Sequence, residues 1–335
     1  MLDENARRVL LDGLPLAITI IVSIFLGLAI IAVTIRLTVR LSDGTFGADD
    51  WLILAGTLTY IADSALAVYG ASVGIGSKDK DTNPWLAMEG QKIFIIWITV
   101  YVVAVALIKS SVCVTLGRIA DTAAPILRYA IWVLFGITWA SCIATFFGIL
   151  AFCRPIHAFW DPTLVRQGKA TCGGGEALIG LSHTNTATSI ITDVGCVVVP
   201  GFLLWKTQMS IMSKMQVLCL LSLASVASIA TVVRAPFISS FRHPEDNLKY
   251  HIGYIVLFSC VEIGVEVFSI DGFQGRETDI MVFGTVRRND HHEIGFLKDM
   301  RRMNVALICA KLALTVVGNR ATLTQGIGDD ESSMV

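Results

Sequence analysis

Long apolar runs separated by short polar loops are the feature that most constrains this chain. A helix needs roughly 20 apolar residues to cross a hydrocarbon core of about 30 Å. Because backbone groups in lipid must hydrogen-bond within the protein, each such run predicts a helix. Seven runs qualify: residues 14–35, 51–69, 93–116, 130–152, 187–204, 217–233 and 252–267. The sequence predicts an all-α, multi-pass bundle of about seven transmembrane helices, with the lipid bilayer as its partner.

Composition agrees with a membrane location. The chain is 54% hydrophobic and 16% charged, whereas soluble domains are about 25% charged. The net charge of −1 provides no overall basic field for nucleic acid. The N-terminal segment, residues 1–13, lacks the basic flank and the cleavage site of a signal peptide.

The composition changes near residue 265. The membrane domain is predicted to cover residues 14–264, and charged residues are frequent beyond it. Residues 265–270, 278–286 and 312–317 have strand-like patterns, and residues 299–311 resemble a helix. Strands alternating with a helix indicate a small α/β unit over residues 265–324. A disordered tail is expected over residues 325–335.

Charged residues that lie well inside predicted spans include Asp63, Lys109, Asp193 and Glu262. A charge at the bilayer centre costs about 2.5–3.5 kcal/mol even on the insertion scale. We therefore expect these groups to face the bundle interior, with Lys109 paired to Asp193 or Asp63. Two alternatives remain: Lys109 and Asp193 reach the headgroups from the helix ends, or the charges bind a ligand or ion.

Membrane orientation has conflicting signals. Lys and Arg are more numerous in the segments that would lie outside if the N-terminus were outside, which argues against that topology. Cys153 and Cys172 share the loop between the fourth and fifth spans. Such a pair persists as a disulfide only in an oxidising compartment, which argues for an outside N-terminus. Two free thiols are the alternative.

Motifs of enzyme chemistry are absent from the sequence. It contains no HExxH, GxSxG or P-loop pattern. No catalytic, cofactor-binding or metal-binding residues are therefore predicted. A retinal Schiff base requires an amine inside the bundle, and Lys109 in the third span is the single candidate. The seventh span has no lysine, which disfavours a light-driven function.

Short stretches along the membrane part occur together in one order. They are Phe46-Gly-Ala-Asp-Asp-Trp51, residues 69–76, Tyr101 with Lys109-Ser110, residues 153–162 with Cys172, residues 192–200 with Trp205 and Met209, and Arg234. Together they resemble the fungal rhodopsin-domain family of seven-helix membrane proteins. The resemblance implies an outside N-terminus, supports the Cys153–Cys172 disulfide and suggests at most a receptor-like role; it does not imply retinal.

The C-terminal part resembles a different family. Residues 269–277 look like the fifth motif of superfamily-1 Upf-like RNA and DNA helicases, and residues 295–307 look like the sixth. The resemblance implies that Gln274, Gly275 and Glu277 descend from residues near nucleotide and nucleic acid. Arg302 would descend from a residue in the motor cleft.

Departures from the helicase pattern exclude its chemistry. Ile308 and Cys309 replace the Thr-Arg of the sixth motif, whose arginine stabilises the transferred phosphoryl group. The chain also has no Walker A lysine, no Walker B acid pair and no first motor domain. We expect neither ATP nor nucleic-acid binding, and no enzyme activity, from this remnant. The junction inside the seventh span suggests a gene fusion or a gene model that joins two neighbours.

Three functions follow as hypotheses. The first is a receptor-like or scaffolding membrane protein with an unknown ligand or signalling partner. A nucleic-acid-dependent ATPase is the second and is disfavoured by the missing P-loop. A transporter is the third, and it is favoured if the paired charges line a cavity.

Overall fold

A computed structural model of the chain describes residues 7–42, 44–78, 83–120, 125–205, 227–242, 247–272, 278–284 and 310–317. It divides into two units, Met1–Phe273 and Gln274–Val335.

The first unit is a bundle of long helices. They are α1 (Leu14–Ser42), α2 (Ala48–Ser72), α3 (Pro84–Ala120), α4 (Pro125–Phe152), α6 (Gly175–Trp205) and α8 (Leu248–Gly272). Residues 227–238 are helical as well and are called α7; they continue into a 3-10 turn, Ser239–Arg242. The short helix α5 (Pro162–Arg166) lies in the loop between α4 and α6. Helix α3 packs on α2 and α4, α1 packs on α2 and α8, and α4 packs on α6.

Five helices of the described part are long and apolar enough to cross a membrane. These spans are Leu14–Ser42, Ala48–Ser72, Pro84–Gly117, Ile126–Phe152 and Leu248–Val267. The predicted fifth span lies within α6. The predicted sixth span, residues 217–233, lies partly outside the described residues. The chain is thus a multi-pass membrane protein.

Local sequence signals explain where several helices begin. The Asn83 side chain accepts a hydrogen bond from the Leu86 backbone N–H at 2.8 Å, and Pro84 occupies the first position of α3. This is the preferred chemistry of a helix N-terminus. Helix α2 begins after Gly47, whose N–H donates to Asp50 at 3.0 Å.

The lipid-facing and core-facing sides of α1 are clearly separated. Ile24, Ile31 and Ile35 are 55–59% exposed, whereas Ile18 and Val22 are fully buried. Exposed apolar surface of this extent is what a helix presents to lipid. The core formed by the buried side belongs to one cluster with residues of α2, α3 and α8.

Helix α8 corrects two predictions about the end of the membrane domain. Residues 265–270 were predicted as a strand, but they are the last turns of α8, which ends at Gly272. The boundary predicted after residue 264 also assigned Glu266 to the second domain. Glu266 is instead buried in the bundle beside Lys109. Glu262 and Glu266 are four residues apart on one helix face, so both meet interior cations and the helix continues.

The described part of the second unit is a pair of parallel strands. Strands β3 (Thr278–Gly284) and β4 (Ala310–Val317) pair from Thr278↔Ala310 to Gly284↔Val317. Parallel strands cannot be joined by a tight hairpin and need a longer crossover connection. The predicted helix over residues 299–311 lies mostly outside the described residues, and its last two residues belong to β4. The predicted tail, residues 325–335, also lies outside them.

Candidate functional site

Lys109 of α3 is the centre of a buried polar network. Its ammonium lies 2.5 Å from Asp193 of α6 and also donates to the side chains of Ser189 and Thr192, at 2.8 and 3.2 Å. Lys109 is only 4% exposed. The ammonium is therefore paired inside the bundle with Asp193, and it does not extend to the headgroups.

Arg234 of α7 forms the second half of this network. Its Nη1 donates to the Tyr101 hydroxyl at 2.6 Å and to Ser259 at 2.5 Å, and it lies 3.0 Å from the Glu262 carboxylate. Tyr101 in turn donates to Glu262 at 2.8 Å. Glu262 is therefore held by a cation and a hydroxyl in a completely buried position.

Ser189 connects the two halves. Its hydroxyl accepts a hydrogen bond from Lys109 and donates one to Glu262, each at 2.8 Å. Helices α3, α6, α7 and α8 thus share one continuous chain of polar contacts. We call it the central network: Tyr101, Lys109, Ser189, Asp193, Arg234, Glu262 and Glu266.

Three carboxylates of the central network are close enough to share a cation. Oxygens of Asp193, Glu262 and Glu266 lie within 4.8 Å of one another. The Lys109 ammonium is 2.5 Å from Asp193 and 3.4 Å from Glu266. The positive charge of the Lys109 side chain therefore already compensates two of these three carboxylates.

Asp63 does not join the central network. The pairing predicted for Lys109 was with Asp193 or Asp63, and the structure places Lys109 beside Asp193. Asp63 is fully buried in α2, and its carboxylate accepts a hydrogen bond from the Cys260 thiol at 3.7 Å. Among the described residues, no Lys or Arg lies within ion-pair distance of Asp63.

A second cluster of buried charge joins α1 to α2. Arg36 donates to Asp49 at 2.9 Å and to Asp50 at 3.0 Å, and all three side chains are fully buried. Arg40 lies 3.7 Å from Asp49. We call these four residues the Arg36 cluster. Ser111 of α3 donates to the Asp49 backbone at 2.8 Å, so the cluster also reaches α3.

Two cavities border the central network. The first, of about 340 Å³, is lined by Lys109, Tyr101 and Ser189 together with residues of α4. The second has an empty volume of about 510 Å³, part of it open to solvent, and Arg234 lines it. We call them the Lys109 cavity and the Arg234 cavity.

Aromatic and aliphatic side chains form most of the Arg234 cavity wall. Phe94, Trp97 and Tyr101 stack in sequence along α3, with ring centroids 5.8 and 5.4 Å apart. The polar lining residues besides Tyr101 and Arg234 are Thr145, Ser182, Asn185, Thr186 and Ser259. An apolar wall with a few placed polar groups is the composition expected of a ligand site.

The loop between α4 and α6 is closed by a disulfide between Cys153 and Cys172. Their Cα atoms are 4.1 Å apart, and the two residues are paired on short antiparallel strands, β1 (Cys153–Arg154) and β2 (Thr171–Cys172). Cys153 also packs against Ala158 and Ala170. The loop is thereby fixed beside the ends of α4 and α6.

An exposed ion pair lies near the same loop. Arg242 donates to Glu176 through two hydrogen bonds, at 2.8 and 3.0 Å. These hydrogen bonds, together with the positive charge of Arg242, lower the pKa of Glu176 below its ordinary value. Glu176 also stands in the first turn of α6, where negative charge is favourable.

The helicase-like positions Gln274, Gly275, Glu277 and Arg302 lie outside the described residues. Sequence reasoning also missed members of the central network. Glu266 was assigned to the second domain, and Arg234 was placed in a loop after the sixth span. The signal available for Glu266 was its spacing of four residues from Glu262.

Two protein-family models match parts of this chain, and their matches overlap at residues 222–270. The fungal rhodopsin domain matches residues 35–270, and a model described as an AAA domain matches residues 222–321. Together with the helical bundle, the first match identifies a multi-pass protein with a rhodopsin-like membrane domain. The chain belongs to the fungal rhodopsin domain family.

The C-terminal part is similar to RNA helicases. It is 54% identical over 59 residues to a regulator of nonsense transcripts 1 homolog of Neurospora crassa, which covers 18% of this chain and 5% of the relative. It is 49% identical over 63 residues to the ATP-dependent helicase NAM7 of Saccharomyces cerevisiae, or 19% of this chain and 6% of the relative. The chain thus spans only a small part of the curated relatives it matches. No solved structure matches this chain.

Proposed function

We propose that this chain is a receptor-like membrane protein that binds a small molecule inside its helical bundle. The Arg234 cavity is the observation that carries the proposal, because it combines an apolar wall with a few polar groups and borders a polar network shared by four helices. A ligand that contacts Tyr101 or Arg234 alters groups that hold α3, α7 and α8 together. Such a contact is a physical route from ligand binding to helix rearrangement.

The first experiment measures ligand-induced stabilisation of the full-length protein in detergent. A compound that occupies the Arg234 cavity raises the melting temperature of the wild type. Ser182→Phe fills part of the cavity and is expected to abolish that rise. His183→Phe, on the exposed neighbouring position, is the matched control and should retain it. Stabilisation that survives Ser182→Phe contradicts the proposal.

A transporter is the second candidate function, because charged residues of the central network line both cavities. The two candidates differ in whether the bound compound crosses the bilayer. Proteoliposomes loaded with a stabilising compound should show no protein-dependent release if the protein is a receptor. Release that Lys109→Met abolishes in folded protein would favour the transporter.

The proposed topology has seven spans and an outside N-terminus. With four spans before it, the loop that carries the Cys153–Cys172 disulfide then lies outside, in an oxidising compartment. An epitope fused to the N-terminus should be accessible to antibody on intact cells. An epitope that becomes accessible only after permeabilisation contradicts this topology.

The helicase-like segment is proposed to be catalytically inactive and to bind neither ATP nor nucleic acid. The support is chemical: the sequence has no Walker A lysine and carries Cys309 where the sixth motif has arginine. The purified full-length protein should hydrolyse no ATP, with or without RNA. An RNA-stimulated rate that Arg302→Ala abolishes would overturn the proposal.

A further inference from the structure

Arg234 has hydrogen-bonding capacity that the central network leaves unused. Its Nη1 contacts Tyr101, Ser259 and Glu262, but its Nε and Nη2 are buried and have no acceptor among the described residues. The residue is only 3% exposed. Buried N–H groups almost always have a partner, so both donors are available to an acceptor outside the described residues.

The Arg234 cavity is the space beside Arg234 that offers room for such an acceptor. The guanidinium lies over the Tyr101 ring, 5.4 Å from its centroid, and both residues line the Arg234 cavity. The same cavity is walled by the stacked rings of Phe94 and Trp97 and by Ile149, Leu178 and Ile238. A molecule in this space therefore meets donors at one place and an apolar surface of aromatic and aliphatic side chains elsewhere.

The charge of the molecule is constrained by Glu262. Its carboxylate is 3.0 Å from Arg234 and already compensates the guanidinium charge. An anionic ligand would bring a second negative charge beside a buried carboxylate, which is unfavourable in a medium of low dielectric constant. The site thus requires acceptor atoms without net charge.

We infer that the Arg234 cavity binds an uncharged molecule with an apolar or aromatic body and an acceptor oxygen, such as a carbonyl, that receives hydrogen bonds from Arg234. The inference rests on the proposed function and specifies its ligand class. Arg234 is then the residue that determines ligand orientation. The apolar wall contributes contact area around the body of the molecule.

Benzophenone is a suitable probe, because it has two aromatic rings, one carbonyl oxygen and no charge, and it crosslinks on irradiation. Full-length protein in detergent is photolabelled with radioactive benzophenone, and the label is mapped to peptides. Unlabelled benzophenone, diphenylmethane and 4-benzoylbenzoate then compete for labelling. Diphenylmethane lacks the oxygen, and 4-benzoylbenzoate adds a negative charge.

The expected result is labelling of peptides from α3 or α6, with benzophenone competing roughly tenfold better than either analogue. Arg234→Lys preserves a charge opposite Glu262 but removes the planar donor fork. It should bring benzophenone and diphenylmethane to similar potency. The comparison of competitors in the wild type stays decisive if Arg234→Lys fails to fold.

Other outcomes separate this inference from the proposed function. Equal competition by benzophenone and diphenylmethane contradicts the claim that the ligand needs an acceptor oxygen. Stronger competition by 4-benzoylbenzoate contradicts the claim that the ligand is uncharged. In both cases the proposed function stands if Ser182→Phe abolishes labelling and His183→Phe preserves it. Labelling that is insensitive to Ser182→Phe contradicts both the inferred ligand class and the proposal that the Arg234 cavity is the binding site.

Discussion

In the Arg36 cluster, a cation meets two acids that are neighbours in the chain, whereas the central network collects its charges from four helices. Arg36 contacts Asp49 and Asp50 across a single helix–helix turn. Lys109 reaches Asp193, which is 84 residues away, and Arg234 reaches Tyr101, which is 133 residues away. The first cluster secures local packing, and the second joins distant helices.

The two clusters also differ in what surrounds them. Residues of the central network line two cavities, and the lining of these cavities includes no member of the Arg36 cluster. Arg234 retains unused donors, whereas Arg36 uses its fork on two carboxylates. This difference teaches that buried charge in a membrane bundle can serve packing in one place and recognition in another.

The largest effect is expected for Lys109→Met. Removing the ammonium leaves Asp193 buried without its cation, which costs about 3–5 kcal/mol of stability. Melting of the full-length protein in detergent, followed by tryptophan fluorescence, measures this loss. Lys92→Met on the same helix is the control, because Lys92 is 42% exposed and 3.5 Å from Glu89. Similar melting of the two variants would show that Lys109 is not structurally coupled to α6.

A smaller effect is expected for Arg36→Lys. Lysine keeps the charge but does not present two separated N–H donors to Asp49 and Asp50, so the loss is about 1–3 kcal/mol. Arg40→Lys, at a position 20% exposed, should change stability less. Benzophenone labelling should be unchanged in folded Arg36→Lys. Altered labelling would mean that the Arg36 cluster is not limited to packing.

Asp63→Asn tests a buried acid that belongs to neither cluster. Because no cation of the described residues pairs with Asp63, an amide of the same shape should change stability by about 1 kcal/mol or less. Asp193→Asn, which removes the charge opposite Lys109, is the comparison and should cost more. The melting temperatures of Asp63→Asn and Asp193→Asn, measured under the same conditions, test this difference. A larger loss for Asp63→Asn would place a cation near it.

How much of the fold and of the central network could be predicted depends on how far apart in the sequence the contacting residues lie. The apolar runs located the spans because length and composition are local properties. They also placed Lys109 and Asp193 inside the bundle, where the cost of charge limits the partners to a few candidates. The choice of Asp193 over Asp63 was not predictable, because it depends on how α3, α6 and α8 rotate about their axes.

The end of α8 shows why the prediction of a strand over residues 265–270 was wrong. Residues 265–270 alternate like a strand, and helicase-like motifs follow directly, so the sequence favoured a domain boundary there. Tertiary contacts decided otherwise, since Glu266 on the helix face of Glu262 meets Lys109 in the interior. Short β-like patterns yield to such packing. The two family matches overlap at residues 222–270, where the same residues fit both patterns.

The smallest effect is expected at the exposed pair of Glu176 and Arg242, whose side chains are 70% and 57% exposed. Hydrogen bonds from Arg242 lower the pKa of Glu176 in the folded protein below its ordinary value of 4.5. A lowered pKa stabilises the fold above pH 4.5, and this contribution is lost as the pH falls through the folded-state value. The melting difference between wild type and Arg242→Ala should therefore be present at neutral pH and disappear toward lower pH. Glu176→Gln should show the same small deficit at neutral pH and no further change when Arg242→Ala is added. A deficit that persists unchanged in acid would assign the effect of Arg242 to packing, not to charge.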